Sequence, residues 1–232
     1  MKLFRITLVF ILAISQTSFS QEDNTGSNQL LMEGSGTMLM TTGKRALKTK
    51  GTPYLKEKFE AANVIGFDNK IYNIRYNAFT DEIEIKLEDG SLKKMNNSLE
   101  NVVVKTTLSK TIFEPLEYVD EDGNKLKGFL ISLTPNNDSV KLYLRKSKRF
   151  VEAKPAQTGY DKDKPAEYKD ERDEYYIKYN DSQPVFVPKK KKDFLKLFPA
   201  KKGEIESFIK KNKIKTNRED DLIALTNYMN SL

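Results

Sequence analysis

A chain of 232 residues with no cysteine, no histidine and no tryptophan is long enough for one large domain or two small ones and needs no disulfide to hold its core. The missing histidine excludes Ser-His-Asp triads, Cys-His dyads and His-based zinc sites, and the missing cysteine excludes thiol redox chemistry. The formal net charge of +7 is mildly basic, and carboxylates, Lys, Tyr, Ser and Thr are the groups left for any chemistry.

The first twenty residues read as an export signal. Met1 to Arg5 is short and basic, Ile6 to Ile14 is apolar except for Thr7, and Ser18-Phe19-Ser20 places small residues at the −3 and −1 positions of a cleavage site. The apolar run is less than half of the about 20 residues that a spanning helix needs. Cleavage after Ser20 is therefore expected, giving a mature protein that starts at Gln21, is soluble and has no transmembrane span. No cysteine follows the signal to carry a lipid. Lys2 and Arg5 leave with the signal and no acid does, so the net charge falls by two. An exported protein does not normally meet ATP, NAD or cellular nucleic acid, and neither a cofactor nor a nucleic-acid partner is expected.

Residues 21–31 are polar at their start and read as a flexible leader. Residues 32–187 carry the signals of an antiparallel β domain. Gly34-Ser35-Gly36 and Gly43-Lys44-Arg45 bracket a short apolar stretch, Thr37 to Met40, of strand length. Tyr72, Ile74 and Tyr76 alternate with Asn73 and Arg75, and Ile83, Ile85 and Leu87 alternate with Glu82, Glu84 and Lys86. Period 2 with one charged side marks half-buried strands in an antiparallel sheet with one wet face. Val102 to Thr107, Ile112 to Tyr118, Leu126 to Leu133 and Val140 to Arg145 follow as strands, separated by turn residues such as Asp120 to Asn124 and Pro135 to Asp138. Residues 152–172 lose the apolar signal and read as a long exposed loop. Glu174 to Tyr179 resumes the alternation, and Pro184 to Pro188 adds an edge segment. The total expected is seven to nine strands in an open or partly closed barrel or sandwich.

From residue 188 the period changes. Phe194, Leu197 and Phe198 suit a short helix that Pro199 ends, and Ile205, Phe208 and Ile209 repeat the spacing. Thr216 and Glu219 have the spacing of a capping box for a third helix, with Leu222, Leu225 and Met229 inward. Strands first and helices last define an α+β chain, with residues 188–232 as a Lys-rich helical end.

Gly51-Thr52-Pro53-Tyr54-Leu55, Ile74-Arg75-Tyr76-Asn77 and Asp81 to Lys86, together with Lys191 to Phe198, Ile209 to Lys213 and Glu219 to Leu222, resemble the corresponding parts of uncharacterised exported proteins of Bacteroidota. That resemblance implies a periplasmic or outer-membrane-associated location. It implies no activity and no catalytic residue.

The strongest local feature is basic. Between Pro188 and Thr216 eleven lysines face three acids, an excess larger than the net charge of the chain. An anion-binding face built on Lys189, Lys190, Lys191, Lys192 and Lys196 competes there with the ordinary solvated side of amphipathic helices; its natural partners are an anionic envelope surface or another envelope protein. Lysine in place of arginine argues against bidentate phosphate recognition. Gly36 to Lys44 has the wrong spacing for a phosphate loop, and Asp120 to Asn124 resembles part of a calcium loop but lacks its later ligands. Glu82 and Glu84 share a strand face, as do Glu114 and the region toward Glu117, and no acid is marked as buried. Asp138-Ser139-Val140 matches a short O-glycosylation acceptor pattern at Ser139, which a turn followed by a strand also explains. Tyr72, Tyr76, Tyr175 and Tyr179 at strand spacing suit a core or sheet surface. No catalytic, cofactor-binding or metal-ligating residue is expected. The leading reading is a non-catalytic envelope binding or structural accessory; the alternatives are a small-ligand carrier and a carboxylate-based hydrolase.

Overall fold

The strands at the centre of the chain close on themselves. The computed structural model describes residues 48–66, 68, 70–99, 101–135, 138–156 and 161–232; the expected export signal and leader, the strand expected from Thr37 to Met40 and the segment from Gly36 to Lys44 lie outside the described residues. Twelve strands are described: β1 Glu60–Ile65, β2 Ile71–Asn77, β3 Glu82–Lys86, β4 Leu92–Met95, β5 Val103–Thr106, β6 Ile112–Val119, β7 Lys125–Ser132, β8 Val140–Arg145, β9 Lys148–Val151, β10 Glu167–Asp170, β11 Glu174–Tyr179 and β12 Val185–Phe186. Ten of them form one sheet in the order β12-β11-β8-β7-β6-β5-β1-β2-β3-β4, and β12 also pairs with β6. That last pairing makes β6, β7, β8, β11 and β12 a closed five-stranded barrel.

The seam between β12 and β6 is parallel, with Val185 opposite Val119, where an antiparallel sheet was expected throughout. The reason is arithmetic. Around a ring of five strands the direction cannot alternate without one parallel neighbour, and the chain places it at the short two-residue strand. Tyr118, Leu130, Tyr143 and Tyr176 are all buried and fill the barrel, with Leu116 and Phe186 packed against them. The interior is a packed core of side chains, as in other small barrels.

Beyond β6 the sheet continues as β5-β1-β2-β3-β4. Its buried face, with Ala62, Val64, Ile74, Tyr76, Ile83, Met95 and Val104, shares one core with Phe113, Phe129, Ile131 and Leu144 from the barrel's outer wall. Asp81, in the β2–β3 turn at φ 55°, holds this layer in place: it accepts hydrogen bonds from the Tyr76 hydroxyl (2.7 Å), Asn97 Nδ2 (3.1 Å) and the Phe129 N–H (3.2 Å). A Cβ at Gly128 would lie 2.5 Å from Asp81 Oδ2, so a larger residue there would push this carboxylate from its partners.

Residues 152–172 are largely exposed, but not wholly a loop. β10 pairs with β9 as a separate two-stranded sheet, and Lys154 and Lys164 bridge farther out. β4, β9 and β10 raise the strand count above the expected seven to nine. Each is short and charged, as edge strands that avoid pairing with other chains tend to be, so none shows an apolar alternation.

The helical end comprises α1 Lys191–Phe194, 3-10 turns at Leu195–Leu197 and Pro199–Lys201, α2 Lys202–Asn212 and α3 Glu219–Asn230. Phe194, Ile205, Ile209, Leu222, Leu225 and Met229 are buried in one cluster with Val140, Leu142, Ile177 and Val187 of the barrel's outer wall. Asn230 fixes the last turn on β8: its Oδ1 accepts from the Val140 N–H at 2.7 Å and its Nδ2 donates to the Val140 carbonyl at 2.8 Å. The capping box is absent. Arg218 is the N-cap of α3 and makes no side-chain cap, while Thr216 is buried and donates to the Lys189 carbonyl at 2.8 Å. Thr216 stands two residues too early, and its hydroxyl ties the α2–α3 connection to the chain that enters α1.

Candidate functional site

The five lysines singled out by sequence lie at the entrance to the helical end, and the structure divides them. Lys196 donates to Asp193 at 2.7 Å, and Lys191 and Lys210 share Glu206 at 3.1 and 3.2 Å. These cations hold both acids below the usual carboxylate range: a hydrogen bond from Lys196 acts first on Asp193, and hydrogen bonds from Lys191 and then Lys210 act on Glu206. Lys189, Lys190 and Lys192 are exposed and make no ion pair among the described residues. Their charge is therefore available to something outside the fold.

Beside Lys189 lies a cleft of about 390 Å³. β11 and β12 build one wall, since the pairing of Tyr176 with Phe186 and the Val187 N–H donating to the Tyr175 carbonyl (2.8 Å) bring Arg172 and Asp173, before one strand, alongside Lys189, after the other. Thr216, hydrogen-bonded to the Lys189 carbonyl, and Asn217 complete the lining, and Tyr175, Phe186 and Val187 supply the apolar surface. Both oxygens of Asp173 accept from Lys146 Nζ at 2.6 Å, so this acid is compensated. Among the described residues Arg172 pairs only with Glu121, at 3.9 Å between two exposed side chains, a contact worth little. Burial, followed by the charges of Glu219, Asp173 and Asp220, pushes the Tyr175 phenol up to about 12. The cleft is thus lined by two cations and one compensated acid, with Glu219 and Asp220 close to its tyrosine.

Sequence reasoning missed Arg172, Phe186 and Asn217. They come together through the β11–β12 register and the Thr216 tether, and no local spacing announces either. Tyr175 was read as core or sheet surface; it is half-buried and lines the cleft. Tyr76 is buried, and Tyr179 is exposed against Phe198.

The two carboxylate pairs resolve differently from each other. Glu82 and Glu84, two residues apart on β3, share a face; Glu82 accepts from Lys94 and Thr80, and Glu84 accepts from Arg75 and Tyr54, so each is engaged by its own cation. Glu114 and Glu117 do not share a face. Three residues apart on a strand, they point opposite ways: Glu117 is exposed and accepts from Gln183, while Glu114 is buried in the barrel. The expectation that no acid is buried fails at Glu84, which is 7% exposed and paired with Arg75, and at Glu114, whose Oε1 has no hydrogen-bond partner among the described residues and whose Oε2 accepts from the Tyr143 hydroxyl at 3.4 Å. Burial, then the Glu114 charge, push the Tyr143 phenol well above its ordinary value.

Asp120 to Asn124 is a turn. Asp120 Oδ1 accepts from the N–H groups of Asp122 and Asn124, its Oδ2 accepts from Asn124 Nδ2, and Gly123 adopts φ 86°. Among the described residues no group of three or more acids is placed to hold a metal ion. Ser139 is exposed between β7 and β8, with its carbonyl accepting from the Asn180 N–H at 2.6 Å. No helix among the described residues is long and apolar enough to cross a membrane.

Fold and site together define an α+β protein in which a small tyrosine-filled barrel supports a lysine-bearing helical end and a neighbouring cleft. No protein-family model, no curated protein and no solved structure matches this chain.

Proposed function

We propose that this protein is an exported, non-catalytic accessory of the cell envelope that contacts an anionic surface through its helical end. One observation carries the reading: Lys189, Lys190 and Lys192 are exposed and unpaired among the described residues, while Asp193 and Glu206 are already engaged by Lys196, Lys191 and Lys210. A cationic cluster of this kind is attracted to anionic head groups by about 1 kcal/mol per lysine near the surface. The filled barrel supports this reading over that of a carrier with its ligand inside the sheet. The amino-terminal signal pattern and the resemblance to exported Bacteroidota proteins support the location.

Two measurements test the proposal. Protein recovered from the periplasmic fraction of a Gram-negative host is expected to begin at Gln21 on amino-terminal sequencing; an amino terminus at Met1 would count against export. In vesicle sedimentation, binding to anionic phospholipid is expected at low salt, with loss at high salt and no binding to zwitterionic vesicles. Lys190→Ala/Lys192→Ala should weaken it about 30-fold, at roughly 1 kcal/mol per lysine. Unchanged binding in that variant would overturn the surface assignment.

A further inference from the structure

We infer that the cleft between the β11–β12 wall and the α2–α3 connection is a binding site for a small polyhydroxylated anion, a sugar-sized molecule bearing one carboxylate or phosphate. The site differs from the surface reading above, sharing only Lys189 with it. Its volume of about 390 Å³ falls at the lower end of the range of about 300–1,000 Å³ for small-molecule sites.

Three features specify the chemistry. Arg172 and Lys189 both line the cleft and neither is held by a close ion pair among the described residues; a guanidinium fork and an ammonium suit a carboxylate or phosphate. Asp173, the acid in the lining, is compensated by Lys146 at both oxygens, so the two cations are not cancelled. Around Tyr175 the acids Glu219 and Asp220 are close enough to raise its phenol, which favours a hydrogen-bond donor over a second anion. A ligand with its negative group toward Arg172 and Lys189 and its hydroxyls toward Tyr175 and Asn217 satisfies both kinds of lining group. Phe186 and Val187 offer apolar surface to the C–H face of its ring.

The site is also braced. The Thr216 hydroxyl holds the Lys189 carbonyl, the Asp173–Lys146 pair fixes the chain before β11, and the Val187–Tyr175 hydrogen bond fixes the strand pair between them. Such bracing limits the ordering that a ligand must impose on binding.

Calorimetric titration of the full chain with glucuronic acid, glucose 6-phosphate and glucose tests the inference and separates the two sources of charge. Saturable binding of either anion is expected, with glucose at least tenfold weaker, and preference for one anion identifies the group recognised. Arg172→Ala/Lys189→Ala should reduce the affinity for that anion at least tenfold. Both side chains are exposed, so an unchanged melting profile is expected to accompany the loss. Lys190→Ala/Lys192→Ala should leave the titration unchanged while weakening vesicle binding, so that each reading can fail without the other. Absence of saturable anion binding, equal binding of glucose, or an equal loss in the Lys190/Lys192 variant would overturn the cleft assignment.

Discussion

Replacing Arg75 with Ala is expected to lower the unfolding free energy by about 3–5 kcal/mol, the cost of removing one partner from a buried ion pair. Arg75 Nη2 and Nε lie 2.7 and 2.9 Å from Glu84 Oε2, and the two side chains are 19% and 9% exposed. The guanidinium carbon sits 3.6 Å from the centre of the Tyr54 ring and 4.5 Å from that of Phe59. Its Nη2 also donates to the Tyr54 hydroxyl at 2.7 Å, and that hydroxyl donates to Glu84 Oε1 at 3.2 Å. Without Arg75 the Glu84 carboxylate keeps one neutral donor in a desolvated place, and the segment around Pro53 to Phe59 loses its stacking partner. Urea denaturation should show the midpoint falling with little change in slope. Arg75→Lys should recover only part of the loss, because an ammonium cannot reproduce a planar guanidinium between two rings. Arg75→Met/Glu84→Leu should recover more, since it removes both charges. A loss below about 1 kcal/mol for Arg75→Ala would make the pair equivalent to an exposed one and refute this account.

The same cluster shows what could be read without coordinates. Arg75 and Glu84 fall on the charged side of alternating strands, where the period predicts solvent, but Tyr54 and Phe59 cover the guanidinium and Glu84 is buried. Their pairing depends on the β2–β3 register, Arg75 opposite Glu84, and Tyr54 arrives from 21 residues away. The α+β class and the inward residues of α2 and α3 were legible because alternation and the 3.6 period are local. Barrel closure was not, because it rests on one parallel pairing between distant strands. Glu114 illustrates a subtler limit: period 2 separates it from Glu117, but only closure decides that its side is the interior. Among the lysines, the Lys196–Asp193 and Lys210–Glu206 pairs have readable i,i+3 and i,i+4 spacing, whereas Lys191 meets Glu206 through tertiary packing. With Lys201–Glu204 these make four contacts, and the unpaired charge is what remains after them, so the lysine count overstates it.

Phe194→Ala is expected to cost about 3–5 kcal/mol. Phe194 is fully buried, with its ring 5.6 Å from that of Phe198, and shares a core with Val140 and Leu142 from β8, Ile205 and Ile209 from α2, and Leu222 and Leu225 from α3. α1 is only four residues long, too short to persist as a helix by itself, so its position depends on this ring. Hydrogen exchange should show α1 and the following 3-10 turn losing protection first, while β7 and β8, which bury Leu130 and Tyr143 inside the barrel, retain theirs longest. Phe194→Leu should keep more of the stability because it keeps most of the apolar contact. A loss below about 1 kcal/mol in Phe194→Ala, or equal deprotection of α1 in both variants, would refute the anchoring role. Lys190 and Lys192 lie on this same short turn, so their presentation to an anionic surface depends on the seating of Phe194. Phe194→Ala should therefore reduce vesicle binding even though it removes no charge.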